Sequence, residues 1–404
     1  MITDDEEKAT KSCENHLSKI AVRIGKKRKR SHQGASSKNN ISSSTAVASI
    51  PPMPILNSLI NPNFVDLSSS YPEFKRELGK LRERQKNKPG KKSSLATNVD
   101  FNFNVALSRA ILDKHFNLNL KCMPKGYLCP PIPNRLNYVL WLKELIRQTS
   151  STDMSNTYFI KESPIGPNFR GLDLGIGVSC IYPLLLSHNN FTERQPWQFL
   201  GTDIDPFSIK CAQENIDAND LNDVVKLALV PAAPADGGCR KIDRTDDNYD
   251  ITTPIKTAMK AARSVYDETD VRFDFCMSNP PFYSDMDEAT APRSGDGRDR
   301  TDMTLNESVY PGGEIGFSLD MIYDSFSFQG QIMWYTVMLS KKSSLITIER
   351  ELTKLGFGRG AVRTAEFMQG KMTRWGIAWT FLTPSVRSPG KNLRWISFAI
   401  FMFV

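Results

Sequence analysis

The stretch Phe273–Tyr283 reads FDFCMSNPPFY, and its chemistry lies in Asn279, Pro280, Pro281 and Phe282. An amino nitrogen conjugated to a ring or a carbonyl is a poor nucleophile, because its lone pair is delocalised. A side-chain amide oxygen on Asn279 and a backbone carbonyl held stiff at Pro280, with Pro281 fixing the turn, can each accept one of its N–H bonds. The lone pair is then free to face an electrophile. Asparagine is no base at neutral pH, so such a site works by positioning and polarisation, and the proton leaves after transfer. Phe282 offers a ring on which a flat substrate stacks. These residue types do not distinguish adenine, guanine or a glutamine amide. They disfavour cytosine C5 chemistry, which needs a thiol nucleophile: Cys276 falls inside the apolar run and Cys129 reads as a buried side chain.

Some element must present those groups. Val271, Phe273, Phe275 and Met277 alternate as a strand does, and the prolines forbid its continuation as a ladder. The turn therefore stands at a strand's carboxyl end, where open α/β sheets bind ligands. A second loop belongs with it. FRGLDLGIGVSCIYPLLL, from Phe169, is a short apolar run ending in Asp173, then Gly175 and Gly177, then a periodic apolar stretch. This predicts strand, glycine turn, helix, with the glycines letting the backbone approach a ligand closely and present its N–H groups at a helix start. A dinucleotide fingerprint wants a small residue where Cys180 stands, which lowers the case for a nicotinamide cofactor. In the next unit, WQFLGTDIDPF, Asp205 precedes Pro206 as an N-cap precedes an N1 proline, which leaves Asp203 to hold a ribose. A nucleoside loop one strand-helix unit from an amine-orienting turn makes the methylsulfonium of S-adenosylmethionine the expected electrophile.

The whole chain has 404 residues, 40% of them hydrophobic and 24% charged, with a net charge of +8. That is globular composition with a bias toward an anionic partner, nucleic acid above membrane, since no apolar run approaches the ~20 residues of a spanning helix. Seven cysteines with no C-x-x-C pair, and four histidines without metal spacing, predict reduced thiols and no metal. Residues 1–60 read as a disordered tail carrying the basic run Gly25–Arg30 (GKKRKR), of the nuclear-import type. From Pro62 to Leu78 apolar residues recur at helical spacing, followed to Lys92 by a basic stretch. Phe101–Phe116 reads as a strand-like start running into a helix, and Leu136–Ile146 as another helix. Further strands are expected at Val224–Val230, Gln331–Ser340 and Arg374–Leu382. Strands alternating with helices give a Rossmann-like, mostly parallel, doubly wound α/β sheet over 151–384, behind a small helical module over 61–150. An insertion is expected over about 234–263 and a mobile loop over about 284–311, a lid ordering on a nucleic-acid partner through Arg293, Arg298 and Arg300. Residues 385–404 remain unassigned.

The residues NFVDLSSSYPEFK, PPIPNRLNYVLWL, GLDLGIGVSCIYPLLL, GTDID, DFCMSNPPFY, PGGEIGF, WYTVMLSKKSSL and EFMQGKMTRWGIAWTF together resemble the family of eukaryotic methyltransferase-like protein 16 and the bacterial adenine-N6 methyltransferases of large-subunit ribosomal RNA. The resemblance runs from about Pro62 to Leu382. It implies a class I S-adenosylmethionine-dependent methyltransferase fold and N6 methylation of an adenosine, in eukaryotes one of U6 small nuclear RNA. It implies cofactor contacts at Arg135, Gly175, Ser179 and Asp203, with Asn279 as the catalytic asparagine, and Asp173, Gly177 and Asn279 complete the expected cofactor-binding set. It turns the basic residues Lys75, Arg76, Lys80, Arg82 and Arg84, and Lys341 and Lys342, toward RNA phosphates. It also implies a nuclear, monomeric protein. The family's Lys-Thr pair after the third strand is replaced here by Val230-Pro231-Ala232-Ala233-Pro234. Ribosomal RNA or protein glutamine methylation, or a catalytically weak RNA-binding homologue, are the alternatives.

Overall fold

Strands whose side chains are apolar on both faces must be covered on both, and the chain supplies helices for each side. The structure, a computed structural model, describes residues 62–86, 101–151, 169–187, 197–232, 253–290, 308–358, 360–369 and 372–382. The basic run Gly25–Arg30, the stretch 87–100, the arginines 293, 298 and 300, and residues 385–404 lie outside these.

The elements are α1 (Phe64–Ser70), α2 (Pro72–Lys86), α3 (Phe101–Phe116), α4 (Ile132–Ser151), β1 (Arg170–Leu174), α5 (Ile181–Ser187), β2 (Gln198–Asp203), α6 (Pro206–Asp217), β3 (Val225–Leu229) and α7 (Pro254–Tyr266). They continue with β4 (Phe273–Ser278), α8 (Met286–Thr290), α9 (Gly313–Ser325), β5 (Ile332–Leu339), α10 (Lys342–Lys354), β6 (Val362–Gln369) and β7 (Met372–Trp379). The sheet has seven strands in the order β3-β2-β1-β4-β5-β7-β6. The first five run parallel, and β7 lies antiparallel to both β5 and β6. Alternation sorts the side chains: Phe275 and Met277 join the core under α4, α5 and α6, while Cys276 joins the one under α7, α9 and α10. The order reverses between β1 and β4, which is the switch point where such sheets open a crevice.

Four readings of the sequence are corrected here. Phe101–Phe116 is helical from its first residue: the FNFNV alternation looked strand-like, but Phe103, Ala106 and Ala110 share one helix face against Leu67, Phe74 and Leu78. The helical spacing over Pro62–Leu78 covers two helices, because Tyr71, preceding Pro72, is pushed into an extended conformation (φ −121°, ψ 98°). The helical half of the expected insertion is α7, the ordinary crossover between β3 and β4, packed on β1, β3 and α9. The sheet also holds a strand the sequence reading did not anticipate, β6, paired along its length with β7.

Every residue of β1 is buried, and its neighbours leave no room at Gly171: a Cβ there would lie 2.3 Å from the Phe275 ring and 2.6 Å from that of Phe199. We expect Gly171→Ala to force those rings aside and lower stability by about 1–3 kcal/mol, read by denaturant unfolding.

Candidate active site

The carboxyl ends of β1, β2, β3 and β4 border one cleft. After β1, Gly175 and Gly177 adopt the left-handed φ values of +75° and +62° that only glycine takes at little cost. Their amides do not face the cleft as a phosphate loop's would. Gly175 N and Ile176 N donate to the Thr202 carbonyl at 2.9 Å, and Gly177 N donates to Asp203 Oδ2 at 2.9 Å. The turn is thus sewn to the end of β2, and the expectation that it presents amides to a ligand is corrected: it offers close approach rather than anion binding.

Asp203 lines the cleft with Thr202 and Ile204. Its carboxylate accepts Gly177 N and, at Oδ1, Asp205 N at 2.9 Å, and burial pushes its pKa up. Each oxygen keeps a lone pair for a hydroxyl. Asp205 is the N-cap of α6, accepting Phe207 N ahead of Pro206 at N1, and also Ser208 Oγ and Tyr127 OH.

Arg135, near the start of α4, also lines the cleft although it is only 5% exposed. Its guanidinium sits 5.7 Å over the Tyr182 ring and reaches the Met338 thioether at 3.8 Å; no described carboxylate pairs with it. A buried cation without an anion is costly and suits a ligand carboxylate. Ser179 lines the cleft as expected. Asp173 does not. It is fully buried, neither carboxylate oxygen has a hydrogen-bond partner, and burial, then the charge of Asp203, push its pKa up to about 8 against the pull of Arg135. The reading of Asp173 as a cofactor contact is therefore corrected: it lies beneath the turn rather than in it.

Asn279 and Pro281 open on the same cleft, immediately past β4. The Asn279 amide bonds to none of the described residues, which leaves both its oxygen and its nitrogen for a ligand. Pro280 is buried and, like Phe282, does not line the cleft; Phe282 is half-buried. Cys276 is buried inside β4 with its thiol pushed well up by burial, which removes it as a nucleophile.

The sequence reading missed the far wall. Leu128 and Pro130, on the linker between α3 and α4, line the cleft, and α6 pins that linker. Asn215 Oδ1 accepts Cys122 N at 2.8 Å, and its Nδ2 donates to the carbonyls of Cys122 (2.9 Å) and Val178 (2.8 Å). Asn219, one turn on, repeats the pairing with both backbone groups of Asn119. After β3 the wall is Val230 and Pro231, and Thr253, Pro254 and Thr257 at the start of α7 complete it. Lys256-Thr257 is itself a Lys-Thr pair after the third strand, so the expectation that this pair is replaced is corrected.

Outside the cleft, Lys75, Arg76, Lys80, Arg82 and Arg84 are exposed on α2, but Arg76 and Lys80 both bond Glu77, at 3.0 and 2.9 Å. Lys341 and Lys342 are exposed at the start of α10, and Lys341 lies 3.5 Å from Glu288 of α8. Tyr283 and Val309 form a parallel bridge, so the chain leaving the Asn-Pro-Pro-Phe turn is paired beside it again at Val309.

A doubly wound sheet ending in antiparallel β7 and β6, with a glycine turn and an Asn-Pro-Pro-Phe turn on one cleft, is the fold of the class I methyltransferases. Residues 57–267 and 254–383 match the RNA methyltransferase family, and the chain belongs to it. It is 32% identical over 344 residues to the RNA N6-adenosine methyltransferase METTL16 of Homo sapiens, covering 82% of this chain and 51% of that protein. It is 29% identical over 350 residues to the U6 small nuclear RNA (adenine-(43)-N6)-methyltransferase of Dictyostelium discoideum, covering 82% of this chain and 55% of that one. The chain thus spans about half the length of these curated relatives. The human METTL16 catalytic domain in complex with the MAT2A 3′UTR hairpin 6 superposes with a TM-score of 0.57 at 29% identity, covering 81% of this chain and 96% of that one.

Two outcomes follow. Asn215→Ala strands buried groups of Cys122 and Val178, and we expect it to cost about 2–3 kcal/mol in unfolding experiments. The folded chain holds the Asp173 proton to about pH 8, where an unfolded one releases it near 3.8. Stability from this group is full below the unfolded value and is lost as pH rises through the folded one. Asp173→Asn removes the charge, so it should raise the melting temperature most at about pH 9 and least near pH 5.

Proposed function

We propose that the protein is an RNA N6-adenosine methyltransferase that uses S-adenosylmethionine and acts on U6 small nuclear RNA. The observation that carries the reading is the opening of the Asn279 turn onto the cleft that also holds Asp203 and Arg135. The residues fit the cofactor: Arg135 is a buried cation lacking a partner carboxylate, Asp203 has lone pairs for ribose hydroxyls, and Ile204, Val230 and Pro231 form an apolar wall suited to a flat base. S-adenosylmethionine, when bound, supplies the methyl group as a sulfonium electrophile.

The chain's own residues orient the acceptor. Asn279 Oδ1 accepts one N–H of the adenine amine and the Pro280 carbonyl accepts the other, which turns the nitrogen lone pair out of conjugation and into the cleft. Phe282, half-buried beside the cleft and not in its lining, supplies the ring on which the base stacks at the cleft's rim. No described group beside the turn is a strong base, so the proton passes to solvent once the nitrogen is alkylated and acidic. The substrate assignment draws on the names of the relatives, and the basic residues of α2 and of the α10 start supply phosphate contacts. The same reading makes the protein nuclear, by way of Gly25–Arg30, and a monomer.

The test uses purified protein, methyl-labelled S-adenosylmethionine, a U6 transcript and transcripts with single adenosines changed to guanosine. Label is expected in U6 and lost with one adenosine. Asn279→Ala should lower turnover by about 10²-fold or more with RNA affinity near the parent's. Unchanged turnover would overturn the mechanism, and label entering ribosomal RNA or a glutamine-bearing protein, but not U6, would reassign the substrate.

A further inference from the structure

α9 carries the motif PGGEIGF at its start, and of that motif Phe317 lines the cleft. Glu314, Phe317, Asp320 and Asp324 follow one another at helical spacing on one side of α9, and the carboxylates are 2%, 2% and 4% exposed. Each takes hold of a different piece of the site. Asp324 accepts Thr253 Oγ1 at 2.7 Å and Ile255 N at 3.1 Å, capping α7 where the Thr253 side chain makes no cap of its own. Asp320 accepts the hydroxyl of Tyr310, a cleft residue, at 2.9 Å. Glu314 accepts Ser340 N at 2.7 Å through Oε2 and Lys341 N at 3.2 Å through Oε1.

Glu314 stands apart because of its neighbour. Gly313, at φ +60°, lies against the backbone that leaves the catalytic turn: a Cβ there would be 3.0 Å from the Phe282 carbonyl oxygen and 3.3 Å from the Tyr283 carbonyl carbon. Consecutive residues of α9 therefore grip two places, the end of the Asn-Pro-Pro-Phe turn and the corner between β5 and α10. A second link between them runs outside: Ser284 N donates to Glu288, and Lys341 Nζ reaches Glu288 at 3.5 Å. That link is exposed on both sides and screened by water, which makes it a weak constraint. The buried carboxylate on two backbone amides is the stronger constraint, since losing it leaves both N–H groups without their acceptor.

We propose that Glu314 is a positioning residue for methyl transfer: it fixes the spacing between the catalytic turn and the Lys341–Lys342 corner, so that an RNA gripped by its phosphate at the corner presents its base at Asn279. This rests on the RNA-methyltransferase reading. A glutamine fills the same space but has one acceptor oxygen, and its NH₂ would face an amide hydrogen. The carboxylate is therefore required rather than merely a polar filler.

The experiment compares the parent, Glu314→Gln, Glu314→Ala and Gly313→Ala in steady-state methylation of the U6 transcript. S-adenosylmethionine affinity is measured by calorimetry and folding by thermal melting. Glu314→Gln is expected to lower kcat by about 10- to 10²-fold with KM for RNA and cofactor affinity within about twofold of the parent, as a small misplacement of the turn would do. Gly313→Ala, which pushes on the turn from the other grip, should lower kcat in the same way. Should Glu314→Ala fail to fold, the glutamine variant decides. A parent-like kcat in Glu314→Gln would overturn the proposal, as would a kcat loss matched by lost cofactor affinity or a collapsed melting temperature. A parent that labels no RNA removes the reading beneath the proposal instead.

Discussion

The site depends on how β1 and β4 end side by side. Leu174 and Ser278 are the last paired residues of the two strands, and Ser278 Oγ donates to the Leu174 carbonyl at 2.8 Å. From that pair the chain leaves in two directions, into the glycine turn on one side and the proline turn on the other. The buried Tyr138 hydroxyl, from α4, meets Thr336 Oγ1 of β5 at 2.7 Å and the Ser278 carbonyl at 3.5 Å. Thr336 in turn donates to the Cys276 carbonyl at 3.0 Å. One small polar network, sealed from water, thereby fixes the point from which both halves of the cleft start. In a low-dielectric interior a fully satisfied network is rigid, and each member is costly to remove.

The helices above are held by carboxylates in places where apolar side chains would have been cheaper. Asp324 is pushed up to about 6 by burial despite the groups it caps, so part of its ionisation works against folding. Such groups are poor investments in stability and good ones in geometry, because a buried carboxylate accepts only from donors at fixed directions. Asp320, Asp324 and Glu314 each replace a sliding apolar contact with a fixed one. The walls they hold are those that line the cleft or carry its basic rim. Asp173 shows the opposite balance, a buried carboxyl with no partner under the glycine turn, whose neutral form is the one the folded chain favours up to about pH 8.

The doubly wound sheet was legible because its parallel strands are short apolar runs closed by turn residues, and the end of β4 because Pro280 and Pro281 stop a ladder there. β6 was not, since VRTAEFMQ is no continuous apolar run and its alternation is short: Glu366 and Met368 are exposed at the sheet's edge while Ala365 and Phe367 are buried. FNFNV failed for the reverse reason, a chance alternation overridden by packing against α1 and α2. The linker wall had no local signal at all. Asn215 and Asn219 look like surface residues of a polar helix until the fold brings Asn119 and Cys122, about a hundred residues earlier, alongside them. Asp173 misled because its type and spacing describe the turn correctly, while the direction of its side chain is set by the parity of β1.

The hydrogen bonding of the glycine turn also says what kind of nucleoside ligand the cleft suits. A pyrophosphate loop works by aiming backbone amides at the anion from a helix start. In this turn Gly175, Ile176 and Gly177 have given their amides to Thr202 and Asp203, so the backbone there has little left to offer a phosphate. Asp203, facing the same space, adds a negative charge that would repel one. The fixed positive charge, Arg135, lies across the cleft on α4. A ligand with hydroxyls near Asp203 and a single carboxylate near Arg135 matches this pattern of charge, and a dinucleotide does not. The absence of a small residue at Cys180 and the bonding of the turn thus point the same way, the first as a matter of sequence and the second as a matter of where the hydrogens go.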